Sequence, residues 1–192
     1  MPKANPAALD FLLTRRSRPA KTLSAPFPDR AALETILTAA ARTPDHGKLE
    51  PWRFIVLQGD ALTRLADLVP VRGSELDLPE DKITKMRDQF TMAGCVVAVI
   101  EVQKPSDKVP AIEQTYSAGA VCLSLLNAAL ASGWGANWLT GWASLDRGFV
   151  EQGLGLMPNE SVAGFIHLGT ESNEPPDRPR PNLPEITQWV DV

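Results

Sequence analysis

Apolar residues recur at helical spacing through the first part of the chain. Asn5-Pro6 places a capping side chain before a proline suited to the first helical position, and Leu9, Leu12 and Leu13 form one stripe. That pattern predicts a helix ending near Arg16-Ser17. Asp29 can cap a second helix with Leu33, Ile36, Leu37 and Ala40 at core spacing, stopped by Pro44. Residues 52 to 57 (WRFIVL) read as a buried strand, and Gly59-Asp60 opens a helix carrying Leu62 and Leu65. Ile83, Met86 and Phe90 mark another helix after Pro79. The run CVVAVIEV (95 to 102) is nearly all apolar and rich in β-branched residues, as expected of a strand covered on both faces. Residues 111 to 132 predict the longest helix, in which Ala118, Gly119 and Ala120 permit close packing. GANWLTG (135 to 141) and VAGFIHLG (162 to 169) supply further strands. The ending NEPPDRPRPNLPEITQWV is too rich in proline for a helix and predicts an extended arm over 173–192. No internal repeat is present. Strands and helices are mixed throughout, which predicts one domain over 1–192, α+β or α/β, with helices covering a central sheet.

Composition narrows the class. The 192 residues are 44% apolar and 22% charged, ordinary values for a globular domain with a full core. A net charge of −4 leaves no Lys/Arg excess for a nucleic-acid surface. Cys95 and Cys122 sit in apolar runs away from metal or disulfide spacing and read as buried, reduced thiols, which suits a cytoplasmic protein. The opening MPKANPAALDFLL lacks the features of a secretory leader, and AGAVCLSLLNAALASG is too short for a membrane span.

The chemistry-bearing residues are few. GLG and GWG lack the third glycine of a dinucleotide-binding turn, and the chain has no GxxxxGK[ST] loop and no nucleophile elbow. Two histidines are too few for a histidine-rich metal site, so no metal is expected, and His167 in mid-strand reads as a satisfied core residue. Arg15-Arg16-Ser17 at a helix end can grip a phosphate through paired N–H donors, or can simply place cations against the helix macrodipole. Arg178 and Arg180 on the arm read alone as solvated charges. The loop ARTPDHGKLEPWRF (41 to 54) crowds Arg42, Asp45, His46, Lys48 and Glu50 between two prolines that stiffen it.

In order along the chain, RRS, RTPDHGKLEPWRF, the apolar strand, the long helix, WLTG, FIHLGT and RPRPNLPE resemble the FMN-dependent nitroreductase family, especially its short NAD(P)H nitroreductase branch. The resemblance implies an α+β sandwich with a central mixed sheet, and a homodimer holding FMN at the subunit interface. It implies a phosphate segment at Arg15, Arg16 and Ser17, with Arg180 as a second phosphate-binding arginine. It places Arg42 and His46 at the flavin, and Trp138, Leu139 and Thr140 along the flavin's border. A nicotinamide-nucleotide contact would fall on Ala128, Ala129, Leu130, Ala131, Ser132 and Gly133. The family's commoner loop has Ser, Asn and Gln where this chain has Asp45, Lys48 and Glu50. The implied reaction takes hydride from NAD(P)H through FMN to a nitroaromatic or quinone. The flavin would perform the chemistry, so no catalytic side chain is expected. Two alternatives are a flavin-binding module without redox work, such as a store or sensor, and a hydrolase using Asp45 and His46.

Overall fold

The computed structural model describes residues 3–191. Met1, Pro2 and Val192, the ends of the expected 1–192 span, lie outside the described residues. The chain runs α1 (Pro6–Thr14), β1 (Leu23–Ser24), α2 (Arg30–Ala40), β2 (Trp52–Gln58), α3 (Asp60–Glu75), α4 (Glu80–Thr91), β3 (Cys95–Val102) and α5 (Ala111–Ala131). It continues through β4 (Gly135–Leu139), α6 (Trp142–Leu145), α7 (Arg147–Leu154), β5 (Glu160–Glu171) and α8 (Leu183–Ile186). The caps fall where the sequence places them: Asn5 accepts from the Ala8 N–H and Asp29 from the Ala32 N–H.

β5 is the hub of the sheet. It pairs with β3, with β4 and, at its C-terminal end, with β1, while β2 pairs with the far side of β3. Every one of these pairings is antiparallel, where a mixed sheet was expected. The reason lies in connections that cross the sheet: β3 leads through α5 to β4, which joins β5 rather than β3.

Each face of the sheet has its own apolar core, as α+β layering requires. On one side Leu65, Val69, Met86, Phe90, Val96, Phe149 and Phe165 bring α3, α4 and α7 together, with Phe90 stacked on Phe149 and edge-on to Phe165. On the other, Leu33, Ile36, Val97, Val99, Val121, Leu125 and Ile166 seat α2 and α5. β3 is therefore buried on both faces, from Cys95 to Ile100 without exposure. Burial raises the thiol pKa of Cys95 to about 11 and that of Cys122 to about 12, so both remain thiols at neutral pH.

Two departures from the pattern bear on the site. α1 ends at Thr14, two residues earlier than expected, because Arg15 takes up extended angles. This frees residues 15 to 19 to run beside β4, where the Arg18 N–H donates to the Ala136 carbonyl and Asn137 Nδ2 donates to the Arg18 carbonyl. The arm is not wholly extended either, since Leu183–Ile186 makes one helical turn.

Candidate functional site

The turn out of α1 gathers cations. Arg15 is half-buried, and its Nη2 donates to Ser17 Oγ at 3.1 Å. Its Nε is buried with no hydrogen-bond partner. Burial first, then the guanidiniums of Arg180, Arg16 and Arg18, pushes the Arg15 pKa below its ordinary value, so four arginines share one region. The arm brings Arg180 there. Arg16 Nε donates to the Pro176 carbonyl at 3.2 Å, and Arg180 pairs with Asp177 at 2.7 Å. Arg18 lies 2.8 Å from Glu171 and 3.8 Å from Glu174, which answer part of the charge. Arg15, Arg16, Arg18, Leu130, Gly133 and Trp134 face a common cavity of about 380 Å³. A cationic cluster holding an unmet buried N–H is arranged for an anion.

A second cavity, of about 410 Å³, lies on the α4 side of β4. Pro19, Ala20 and Lys21 wall it from the chain following the arginines, Lys85, Asp88, Gln89 and Met92 from α4, and Asn137, Leu139 and His167 from the sheet. Strand alternation decides which residues reach it. Asn137 and Leu139 point into the cavity, whereas Trp138 belongs to the opposite core and lies flat on β5. A Cβ on Gly164 would come within 2.1 Å of the Trp138 indole nitrogen, so that glycine makes room for the ring. Thr140, just past the strand, is exposed. Two of the lining residues each carry a buried polar atom with no hydrogen-bond partner among the described residues, Gln89 its Oε1 and His167 its Nε2. His167 is therefore not the satisfied core residue that its mid-strand position suggests.

The loop between α2 and β2 is built from its own polar groups. Asp45 Oδ1 accepts from the N–H groups of Leu49 at 2.5 Å and Glu50 at 3.2 Å. Gly47, Lys48 and Glu50 all take positive φ, which only the glycine adopts without strain. Three bonds moor the loop along α5: Thr43 Oγ1 to Ser124, Ser117 Oγ to the Pro44 carbonyl, and His46 Nδ1 with Glu113 Oε2 at 2.7 Å. Asp45 is thus a cap for the loop backbone and makes no bond to His46, which offers no support to an Asp–His hydrolytic pair. Arg42 and His46 are exposed.

The expected residues thus fall into two groups in one copy. Arg15, Arg16, Ser17, Arg180, Leu130 and Gly133 lie toward the C-terminal end of α5, and Leu139, at the end of β4, lines the neighbouring cavity. Arg42 and His46 lie toward its N-terminal end. Glu113 and Leu130 are separated by about 25 Å of helix at 1.5 Å per residue. Of the segment Ala128 to Gly133, Ala129 is fully enclosed, Ala131, Ser132 and Gly133 are exposed, and Leu130 and Gly133 face the arginine cavity. Lys21, Lys85, Gln89, Asn137 and His167 escaped the sequence reading. On a helix, Lys85 and Gln89 look like a solvated face, and no local pattern reveals that the cavity lies beside them. Groups of His, Cys, Asp and Glu able to hold a metal are absent among the described residues, as is any helix long and apolar enough to cross a membrane.

Comparisons with known proteins agree with this architecture. A "Putative NAD(P)H nitroreductase" of Haemophilus influenzae is 36% identical over 165 residues, covering 85% of this chain and 88% of its own. Among solved structures, a nitroreductase-like family protein from Bacillus cereus superposes with a TM-score of 0.81 at 20% identity, covering both chains fully (100%). A "putative nitroreductase" from Desulfovibrio desulfuricans, solved in complex with FMN, gives a TM-score of 0.76 at 21% identity over 99% of each chain. The model describing the nitroreductase family matches residues 12–170, from the end of α1 through β5, and by that match this chain belongs to the nitroreductase family.

Proposed function

We propose that this chain is an FMN-dependent oxidoreductase drawing reducing equivalents from NAD(P)H and passing them to an electron-poor small molecule, a nitroaromatic or a quinone. One observation carries the reading: the buried, unpartnered Nε of Arg15 inside an arginine cluster that adjoins the Leu139 cavity. The residues fit the cofactor. Arg15, Ser17 and Arg180 offer donors to a single phosphate, while Arg16 ties down the arm and adds charge. The chain has no glycine turn for the pyrophosphate of FAD. Pro19, Ala20, Met92 and Leu139 provide apolar walls for a flat ring. The chemistry supplied by bound FMN is two-electron transfer, from NAD(P)H to the acceptor. Lys21 and Lys85, beside that ring seat, favour a negatively charged reduced flavin electrostatically.

A second copy completes the site in this reading. Arg42 and His46 sit too far along α5 to meet a flavin whose phosphate rests on Arg15 of the same copy. Apolar surface supports the pairing of copies. α1 buries none of its residues, and Leu9, Leu12 and Leu13 are exposed. Ile112, Tyr116 and Leu123 form an exposed stripe on α5, and Leu183, Ile186, Trp189 and Val190 are exposed on the arm. A homodimer covers such faces. The arm then belongs to the same folding unit as the rest of the chain and docks on the partner copy.

The test is direct. Cofactor released from purified protein should co-elute with FMN, and the protein should oxidise NADH or NADPH when given a nitroaromatic or a quinone. FAD, or no flavin after incubation with FMN, contradicts the assignment. Bound FMN without any NAD(P)H oxidation makes the protein a flavin store or sensor.

A further inference from the structure

We infer that His167 is a positioning group for the ring in the Leu139 cavity, reaching it by one hydrogen bond from a neutral imidazole. This rests on the flavin reading above. His167 lies in mid-β5, paired with Val96 on one side and Asn137 on the other, and is only 3% exposed. Two residues back on the same face of the strand, Phe165 is apolar and fully buried, so an apolar residue would suit the His167 position with no polar cost. Instead the chain places there a histidine that lines the cavity, and also a small void beside Phe27 and Cys95, and whose buried Nε2 finds no partner in the fold. Buried polar groups are ordinarily bonded, so one left over at a cavity points to a ligand as its partner. Gln89 Oε1, buried and unpartnered in the same cavity, repeats the signal from the α4 side.

The two atoms together describe the ligand's edge. An amide oxygen accepts from an N–H, and a neutral imidazole in its Nε2–H tautomer, the one this proposal requires, donates to a carbonyl oxygen. A ring edge carrying an N–H beside a carbonyl meets both, and the pyrimidine edge of a flavin is such an edge. The imidazole carries no charge at neutral pH, because burial holds its pKa down near 4. It therefore orients the ring as a dipole, while the cationic work belongs to Lys21 and Lys85. A donor to a ring carbonyl bonds more strongly when electrons are added to the ring, so His167 also raises the reduction potential.

The experiment compares the full-length wild type with His167→Leu and His167→Gln. The glutamine keeps an N–H donor and the leucine removes it. FMN affinity is read by quenching of flavin fluorescence, and the midpoint potential by spectroelectrochemistry. We expect the leucine variant to bind FMN about tenfold more weakly and at a more negative potential, with the glutamine variant recovering most of both. The wild type offers a check that needs no variant. With only two histidines in the chain, ¹⁵N-histidine labelling should show the His167 Nε2 resonance shifting when FMN is added. Wild-type affinity and potential in both variants, equal losses in both, or an unmoved Nε2 resonance in a flavin-loaded wild type overturns the role of His167 and leaves the flavin assignment standing. A wild type that takes up no FMN overturns both.

Discussion

Arg15 shows how a single side chain can be both a strain and a signal. Its charge sits among three other guanidiniums and its Nε lacks a partner, an arrangement that favours the anion-bound state over the free one. Arg15→Ala should weaken FMN binding by about 1.5–3 kcal/mol, tenfold or more, measured by fluorescence titration. The same change should leave the melting temperature of the apo-protein unchanged or higher, because it relieves repulsion. Unchanged affinity with a lowered melting temperature would make Arg15 a structural residue instead. His167 gives a second prediction at this scale. Its pKa falls from an ordinary 6.5 to about 4 on folding, so between those values the unfolded chain binds a proton that the folded one refuses. Its contribution is therefore intact above about pH 6.5 and is lost as pH falls toward 4, on the order of 3 kcal/mol in all. Urea unfolding of the apo-protein between pH 7 and pH 4.5 should show a flatter pH dependence for His167→Gln than for the wild type. Parallel curves would contradict it. The clustering of cations around Arg15 was legible in sequence, as two arginines and a serine at a helix end. His167 was not, because a lone polar residue in FIHLG reads the same whether its partner is protein or ligand.

At the level of elements, the loop from Thr43 to Pro51 holds its shape through Asp45. Lys48 and Glu50 adopt left-handed angles that cost roughly 1–2 kcal/mol each, and the two N–H groups gathered by Asp45 offset part of that. Asp45→Ala should destabilise the protein by about 1–2 kcal/mol in a urea titration, while Asp45→Asn retains most of the stability. Equal stability in all three proteins would mean that the loop is held from outside, by the moorings on α5. The loop's boundaries could be read from Pro44 and Pro51, and its polar crowding raised the expectation of a binding element. The role of Asp45 could not, since a carboxylate bonding to backbone four and five residues ahead leaves no signature distinct from one facing a ligand. Among the elements, β3 and α5 were the most legible, because their apolar patterns are long and unbroken. The short helices α6 and α7 were missed between Trp142 and Leu154, where eight or fewer residues give the helical period too little length to register. Strand direction was equally hidden. Each strand's own pattern is the same in a mixed or an antiparallel sheet, and only the connection over α5 fixes it.

For the whole molecule, the proposed flavin site has to be built from residues that lie toward opposite ends of α5 in one copy. The sequence names both halves but carries no sign of how far apart a 21-residue helix will hold them. In one copy they are separated; in a two-fold pair, the Arg42–His46 loop of one copy can complete the Arg15–Leu139 half of the other. The exposed apolar residues of α1, α5 and the arm would supply the surface for the proposed pairing. The most direct test is complementation between two damaged copies, one carrying Arg15→Ala and the other Arg42→Ala with His46→Ala. Each alone should form dimers whose flavin sites are all impaired. Co-expressed in equal amounts, half of the dimers should be mixed, and each mixed dimer should contain one site built wholly from undamaged residues. FMN titration should then reveal wild-type affinity at about a quarter of the sites. A mixture that shows only the weakened affinities of its two parents would place both groups of residues on the same copy and contradict the shared site.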